Sequence, residues 1–339
     1  MTIDDPSFQS RRRDVLRGVA TGIALAAAGY GPLAMAQEAT IKLGHVGEPG
    51  SLFQKSADEF AKRANARLGG KAKVVTYGSS QLGGDKVMIQ KLKLGTLDMA
   101  LPSTVMSSEV DIAGIFEMPY IVKDRAHMGR IEKEVFWPMI EPAIEKKGLT
   151  VLAVWENGVR HITNNKRPIK SPADLTGIKL RVPEGKWRVK MFQAYGANPS
   201  PMKFSELFTA LQTGVMDGEE NPLTQIYSAK LQEVQKYLSL SGHVYTPAYL
   251  TVGTKRWSAL PADVRKTLAD TAKETQAFVY ETAARDEEDL LGKLKQAGMQ
   301  VNEVDKDAFV AASKPIYDEF AKEVPGAAAA IDRANALRK

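Results

Sequence analysis

Apolar side chains along this sequence recur with two spacings, one typical of strands and one of helices. Short β-prone runs predict strands at residues 41–46, 73–77 and 97–101. Between the first two runs, residues 51–68 carry apolar side chains at helical spacing, and Asp85 is the predicted N-cap of a second helix. This β-α-β-α-β opening predicts an α/β fold whose ligand-binding loops follow the strands.

The alternation continues through the rest of the chain. The predicted bounds are 124–147, 171–175, 185–195, 205–213 and 222–229 for helices, and 149–155, 178–182 and 215–217 for strands. A further tract, 261–298, is predicted to be one long helix. It could run across two lobes or pack in the ordinary way, and the pattern alone favours ordinary packing. The 339 residues suffice for about two lobes, and the absence of a long linker predicts that the chain crosses between them more than once.

The N-terminus has the features of an export signal. A basic segment, Arg11-Arg12-Arg13-Asp14-Val15-Leu16-Arg17, carries the twin-arginine pattern, and an Ala- and Gly-rich apolar run then leads to Ala34-Met35-Ala36. The alternative is a membrane anchor, but the run is short and weakly hydrophobic for a span. Residues 1–36 are therefore predicted to be a twin-arginine signal peptide. The mature protein would begin at Gln37, reside in the periplasm and have no stable membrane insertion.

Composition and charge argue against several classes of protein. The formal net charge is +6, but no block of five like charges appears, which argues against nucleic-acid binding. Cysteine is absent, so disulfides, thiolate nucleophiles and cysteine metal sites are excluded. The four histidines are far apart, and no hydrolase, zinc-protease, P-loop or dinucleotide motif is present. We therefore expect no enzyme activity, no metal and no cofactor.

Two arginines are the candidates for ligand chemistry. Arg160 follows a strand and a glycine turn at residues 157–158, and Arg181 ends an apolar strand, so each is expected near a sheet edge. Two guanidinium groups facing one cleft would repel each other unless an anion lay between them, and a carboxylate fits the planar fork. The alternative is that each arginine is a surface or salt-bridge residue. The residues alone leave this choice open.

Longer motifs add a family resemblance. Residues 210–218 read Ala-Leu-Gln-Thr-Gly-Val-Met-Asp-Gly, and further characteristic segments lie at 78–85, 94–100, 180–183, 196–202, 204–206, 220–222 and 233–238. Across essentially the whole mature chain, the sequence closely resembles the solute-binding proteins of tripartite ATP-independent periplasmic (TRAP) transporters, the dicarboxylate-binding family. The resemblance implies two α/β lobes joined by a hinge, and a long helix that spans both.

The resemblance also implies roles for individual residues. Arg181 corresponds to the family's main carboxylate-binding arginine, and Arg160 to a second arginine found in many members. Asn221 matches a ligand-contacting asparagine, and Phe204 an aromatic position that lines the same cleft. The implied partners are a small organic acid and the membrane subunits of a TRAP transporter.

Two departures from the family's patterns restrict the ligand. Sialic-acid binders carry Glu and Arg at positions that align with Ser103 and Met106, so sialic acid is not expected here. Members that bind 2-oxo acids through a metal carry an aromatic and acidic ligand set after the position of Asn221. That set is not found in this sequence, so no metal is expected.

The remaining candidates suggest a polar pocket of moderate size. His45, Glu48 and Gln81, on loops after the first two strands, could hydrogen-bond hydroxyl groups, and Trp187 could supply a flat face for a sugar ring or carbon chain. The alternative for each is a surface or packing role. These residues favour a sugar acid, such as an aldonate or uronate, over a C4-dicarboxylate or an aromatic acid.

Two other classes of function stay open. An enzyme acting on an organic acid would need a base or nucleophile near the arginines, where the sequence offers His161 and Glu220. A ligand-sensing receptor subunit would use the same pocket as a transport protein. We expect residues 37–160 to form mainly the first lobe, 161–258 mainly the second, and 259–339 C-terminal helices that pack on both.

Overall fold

The computed structural model describes residues 39–339, so the signal-peptide prediction lies outside the described residues. The strands are β1 (Ala39–Gly44), β2 (Ala72–Tyr77), β3 (Met99–Ala100), β4 (Leu149–Asn164), β5 (Lys179–Val182), β6 (Asn198–Pro201), β7 (Gly218–Pro222), β8 (Tyr237–Gly253) and β9 (Gln300–Glu303). None of the helices within this range has the length and apolar character needed to cross a bilayer.

Helices flank these strands. The α-helices are α1 (Leu52–Leu68), α2 (Asp85–Leu94), α3 (Met106–Glu109), α4 (Arg125–Ile131), α5 (Glu141–Glu145), α6 (Lys186–Ala194), α7 (Phe204–Gln212), α8 (Leu223–Ser228), α9 (Thr254–Ser258), α10 (Ala262–Gln296), α11 (Lys306–Glu323) and α12 (Ala327–Ala336). Shorter 3₁₀ segments lie at Asp111–Glu117, Pro172–Leu175 and Leu231–Glu233.

One mixed sheet runs through both lobes of the molecule. Its strand order is β2-β1-β3-β8-β4-β7-β5-β6, with β9 beside β8. The two longest strands, β4 and β8, pair antiparallel from Leu149 opposite Gly253 to Asn164 opposite Tyr237. One end of this pair continues through β3 into the sheet of the first lobe, and the other continues through β7 into the sheet of the second. The paired strands therefore form a connection between the lobes.

Each lobe has its own hydrophobic core, and α10 contributes to both. Leu268 and Val279 of this helix are buried in the first-lobe core, whereas Leu290 and Leu294 are buried in a second-lobe core. Another second-lobe core surrounds Phe192 on α6. The long helix therefore spans both lobes, as the family resemblance implies. The ordinary packing favoured by the sequence pattern alone is wrong, because this 35-residue helix contributes buried side chains to the cores of both lobes.

The predicted turn before Arg160 is instead a bulge inside a continuous strand. The register of β4 against β8 shifts between Glu156 and Gly158, and Gly158 adopts a φ of +131°. A Cβ at this glycine would lie 3.0 Å from the Cβ of Pro222. The strand predicted to end at residue 155 therefore continues to Asn164, because glycine allows the backbone to change register without ending the strand.

Other element boundaries also differ from the predictions. The strand predicted at 215–217 begins at Gly218 instead, and the third strand is only two residues long. The predicted helix 124–147 is divided by a π-helical segment, Glu132–Ile140, that contains Pro138. Because proline has no N–H to donate, it interrupts the regular α-helical hydrogen bonding. The capped turn at residues 171–175 is confirmed, with Ser171 and Asp174 forming a capping box.

Candidate ligand-binding site

A small pocket with a cavity volume of about 30 Å³ lies between the lobes, close to the ends of β5 and β7. This volume is well below the roughly 300–1,000 Å³ of small-molecule sites. Its lining residues are Val46, Phe53, Asp85, Ser103, Thr104, Asn157, Arg160, Arg181, Pro183, Phe204, Asn221 and Gln225. The two predicted arginines therefore share one cavity.

Arg181 is a buried cation without a carboxylate partner. Its side chain is 3% exposed, and its Nε and Nη2 donate to the carbonyl oxygen of Met202 at 2.9 and 2.6 Å. The guanidinium carbon lies 5.9 Å from the centre of the Phe204 ring. No carboxylate within residues 39–339 forms a salt bridge with it. Burial lowers the pKa of Arg181 to about 10, and the positive charge of Arg160 acts in the same direction.

Arg160 has a contrasting environment. Its Nε donates to Oε2 of Glu220 at 2.5 Å, and its Nη2 donates to Oε1 of the same carboxylate at 3.0 Å. The same Nη2 donates to the backbone carbonyl of Glu220 and, at 3.0 Å, to Oδ1 of Asn221. Arg160 is therefore held by a buried carboxylate and fixes the orientation of the Asn221 amide.

Glu220 is the centre of a buried ionic cluster. Its Oε2 also accepts from Nη1 of Arg188 at 2.6 Å and lies 3.0 Å from Nε2 of His243. Arg188 in turn donates to Glu117 at 2.9 Å. Burial alone would raise the pKa of Glu220, but Arg160 and Arg188 hold it below the ordinary range. Burial lowers the pKa of His243 to about 4, so this side chain is neutral near pH 7. The charged groups of the cluster are therefore two arginines and two glutamates.

Asp85 brings a carboxyl group to the pocket from the first lobe. The structure corrects its predicted role, because Gly84 is the N-cap and Asp85 is the first residue of α2. Its Oδ1 is buried without a hydrogen-bond partner among the described residues, as are Oγ1 of Thr104 and Oε1 of Gln225. Burial raises the pKa of Asp85 to about 7, although the charge of Arg181 opposes the rise. The pocket therefore offers hydrogen-bonding atoms that no residue in the described part of the chain uses.

The structure brings Arg160, Arg181, Phe204 and Asn221 together, and it places Trp187 elsewhere. The Trp187 ring is 1% exposed and packs edge-to-face on Phe320 with ring centres 4.9 Å apart. It does not line the pocket, so the packing alternative describes its position. An aromatic residue at the start of a helix can face either way, and the sequence near Arg181 did not distinguish these directions.

The three polar candidates from the first lobe lie outside the pocket lining. His45 is fully buried, and burial lowers its pKa to about 4. Glu48 accepts from Oγ of Ser79 at 2.6 Å and lines a separate groove beside Phe204. Gln81 lies exposed in the turn before α2. Their ligand roles have no support from this geometry.

Sequence reasoning missed several polar residues that line the pocket. The sequence pattern indicates helix capping for Asp85, and it does not indicate ligand contacts by Thr104, Asn157 or Gln225. The available signal was positional for the loop after β3, which follows a strand end, whereas the bulge before Arg160 lies inside β4. Among residues 39–339, no group of three or more His, Asp or Glu side chains is placed to hold a metal ion.

Known proteins share this architecture. Residues 43–323 match the family model described as bacterial extracellular solute-binding protein, family 7. The 2,3-diketo-L-gulonate-binding periplasmic protein YiaO of Escherichia coli is 33% identical over 273 residues, which cover 80% of this chain and 83% of that protein.

Solved structures agree with this assignment. A TRAP periplasmic solute-binding protein from Polaromonas, bound to D-erythronate, is 35% identical with a TM-score of 0.85, covering 89% of this chain and 100% of that one. Another from Sulfurospirillum deleyianum, with bound succinate, is 33% identical with the same TM-score, covering 89% and 99%. This chain therefore belongs to family 7 of the bacterial extracellular solute-binding proteins, the periplasmic solute-binding proteins of TRAP transporters.

Proposed function

We propose that this protein captures a small hydroxylated organic acid, with an aldonate or uronate favoured, by binding its carboxylate at Arg181. The observation that carries the proposal is a buried guanidinium that forms no salt bridge with any carboxylate among residues 39–339. A buried charge without a counter-charge is unfavourable, and a bidentate carboxylate supplies both the charge and the geometry.

Three neighbouring residues complete the carboxylate site in this proposal. Arg160 adds a second positive charge, and Asn221, whose amide orientation Arg160 fixes, offers an N–H to the ligand. Phe204 packs beside Arg181 and would contact the ligand's carbon chain. Each charge-assisted hydrogen bond to the carboxylate contributes roughly 1.5–3 kcal/mol.

Asp85 favours a hydroxylated acid over a dicarboxylate. Its unpartnered oxygen can accept a hydrogen bond from a ligand hydroxyl, as can Oε1 of Gln225. A second ligand carboxylate near Asp85 would instead face a like charge whenever Asp85 is ionised. Relatives supply both precedents, since the Polaromonas structure holds D-erythronate and the Sulfurospirillum structure holds succinate. C4-dicarboxylates and aromatic acids are therefore the alternative ligands.

Closure of the lobes over the ligand would complete capture. Contacts across the pocket rim already join the lobes, since Oγ of Ser108 donates to the carbonyl oxygen of Glu184 at 2.6 Å and Lys86 lies 3.7 Å from the Glu184 carboxylate. A ligand held by both lobes favours this arrangement, and TRAP membrane subunits would then receive it. We propose no enzymatic role, export by the twin-arginine route, and lobe boundaries near residues 160 and 258.

A thermal-shift screen tests the ligand class. Purified protein starting at Gln37 is melted with aldonates, uronates, C4-dicarboxylates and aromatic acids, because a ligand that binds the folded state raises the midpoint. Aldonates or uronates should give the largest shifts, with titration calorimetry supplying Kd. Shifts from dicarboxylates alone would overturn the sugar-acid preference, and no shift from any organic acid would overturn the proposed function. A sensory role would be indicated by capture of a receptor rather than TRAP membrane subunits.

A further inference from the structure

Glu219 is a second buried carboxyl group beside the proposed ligand site. It lies on β7 between two strands, opposite Thr163 on β4 and opposite Arg181 on β5. The side chain is fully buried and forms no salt bridge within residues 39–339. Its Oε2 accepts a hydrogen bond from Nδ2 of Asn221. Glu219 thus supports an amide that faces the ligand pocket.

The hydrogen bonds around Thr163 indicate where a proton lies. Oγ1 of Thr163 is 2.8 Å from Oε1 of Glu219 and 3.0 Å from Oε1 of Gln235. The amide of Gln235 is oriented by its Nε2, which donates to the carbonyl oxygen of Val234 at 2.9 Å. A threonine hydroxyl has one proton to donate. If it donates to Gln235, then Glu219 must be the donor in its contact with Thr163.

From this arrangement we propose that Glu219 carries a proton when the ligand binds, so that capture of the acid anion is coupled to proton uptake. The inference rests on the proposed function, because it needs an anionic ligand at Arg181. A neutral Glu219 donates to Thr163 and accepts from Asn221 at the same time. It therefore acts as a positioning residue for the Asn221 amide and adds no negative charge beside the ligand carboxylate.

Burial and the charged groups around Glu219 together determine the direction of the pH effect. Arg160 from β4 and Arg181 from β5 favour its ionised form, whereas Glu220 from β7 favours the neutral form. Burial is the largest effect and raises the pKa of Glu219 to about 7. A ligand carboxylate would raise it further, so binding takes up a proton above pH 7. Affinity is therefore expected to fall as the pH rises above this value.

The test compares native protein with Glu219→Gln from pH 6 to pH 8.5. The probe is the acid that gives the largest shift in the ligand screen, and Kd is measured by calorimetry. Native Kd should rise about tenfold for each pH unit above 7 if one proton is required. Glutamine resembles the protonated carboxyl, so this dependence should disappear in Glu219→Gln. Calorimetry in buffers of different ionisation enthalpy should show proton uptake by the native protein and less uptake by the variant.

Asp85→Asn is the matched control, because Asp85 is a carboxyl group in the pocket lining whose pKa is also raised to about 7. Native-like pH dependence in Asp85→Asn supports the assignment to Glu219. If Asp85→Asn loses the dependence and Glu219→Gln retains it, the inference is overturned. A native Kd that does not change with pH, or a ligand that binds without proton uptake, overturns the inference but leaves the proposed function intact. If no organic acid binds at any pH, both fail.

Discussion

Arg160 and Arg181 line the same pocket and are similarly buried, yet their surroundings differ. The guanidinium of Arg160 is held by Glu220 within a cluster that pairs two arginines with two glutamates. The guanidinium of Arg181 contacts one backbone carbonyl oxygen and the face of an aromatic ring. Removing one partner of a buried ion pair leaves the other charge buried and uncompensated, which destabilises the fold. An unpaired buried charge itself lowers stability and favours binding of an anion.

The largest expected effect of this difference is on folding. Arg160→Met should lower the free energy of unfolding by about 3–5 kcal/mol, because Glu220 loses one of its two arginine partners in a buried site. Urea denaturation measures the change. Arg181→Met is the control and should be nearly neutral or stabilising, since Arg181 forms no salt bridge with a carboxylate among residues 39–339. Equal losses in both variants would contradict the contrast between the two sites.

Substitution of Arg181 should affect ligand affinity more than it affects the stability of the fold. Arg181→Lys keeps the positive charge but loses the planar fork, so Kd for the preferred acid should rise by roughly 10- to 100-fold, equivalent to one charge-assisted hydrogen bond of about 1.5–3 kcal/mol. The free energy of unfolding should change by less than about 1 kcal/mol. Calorimetry and urea denaturation on the same preparation separate the two effects. Unchanged affinity would remove Arg181 from the carboxylate site.

Two carboxyl groups of the pocket region, Asp85 and Glu220, should contribute in opposite directions to the pH dependence of stability. The raised pKa of Asp85 means that the folded state retains a proton which the unfolded chain loses near pH 4, so stability falls as the pH rises from about 4 to 7. Asp85→Asn removes this contribution and should raise stability at pH 8 by on the order of 2 kcal/mol relative to pH 5. Melting curves at both pH values measure the effect.

Glu220 should contribute the opposite slope. Because its pKa is depressed, the stability it provides is present above about pH 4.5 and is lost as the pH falls below that value. Asp85→Asn should leave this acid-induced loss unchanged. If the substitution altered only the acid side of the stability profile, the two carboxylates would have been assigned to the wrong environments.

The smallest effect is expected outside both sites. Gln81→Ala should change Kd by less than about twofold and stability by less than about 0.5 kcal/mol, because Gln81 is an exposed turn residue outside the pocket lining. The same calorimetric titration tests this expectation. A clear loss of affinity would show that the turn before α2 contacts the ligand.

Local pattern and family motifs predicted most strands, the long helix and four residues that line the pocket. Those motifs identified Arg181 because a long, specific segment surrounds it. The contrast between the two arginines could not be predicted, because it depends on which residue lies opposite which. Glu219 faces Thr163 and Arg181 only through the register of three strands. The bulge at Gly158, which sets the register of Arg160, resembles an ordinary glycine turn in the sequence.

The errors for single side chains have a similar cause. Trp187 follows Arg181 closely in the chain, but the start of α6 directs it toward Phe320. Asp85 has the residue type and position of an N-cap, and the actual cap is one residue earlier. A one-residue change at a helix start rotates a side chain by about 100°, which sequence patterns do not resolve.

The position of β8 in the sheet has a consequence for how the chain folds. In the sheet this strand lies between β3 and β4, although both of those strands come much earlier in the sequence. The sheet cannot be completed until residues 237–253 are available, so folding depends on contacts between distant parts of the chain and should be slow. A chain truncated before Tyr237 would leave edges of β3 and β4 unpaired, and such fragments should associate through those edges rather than fold alone.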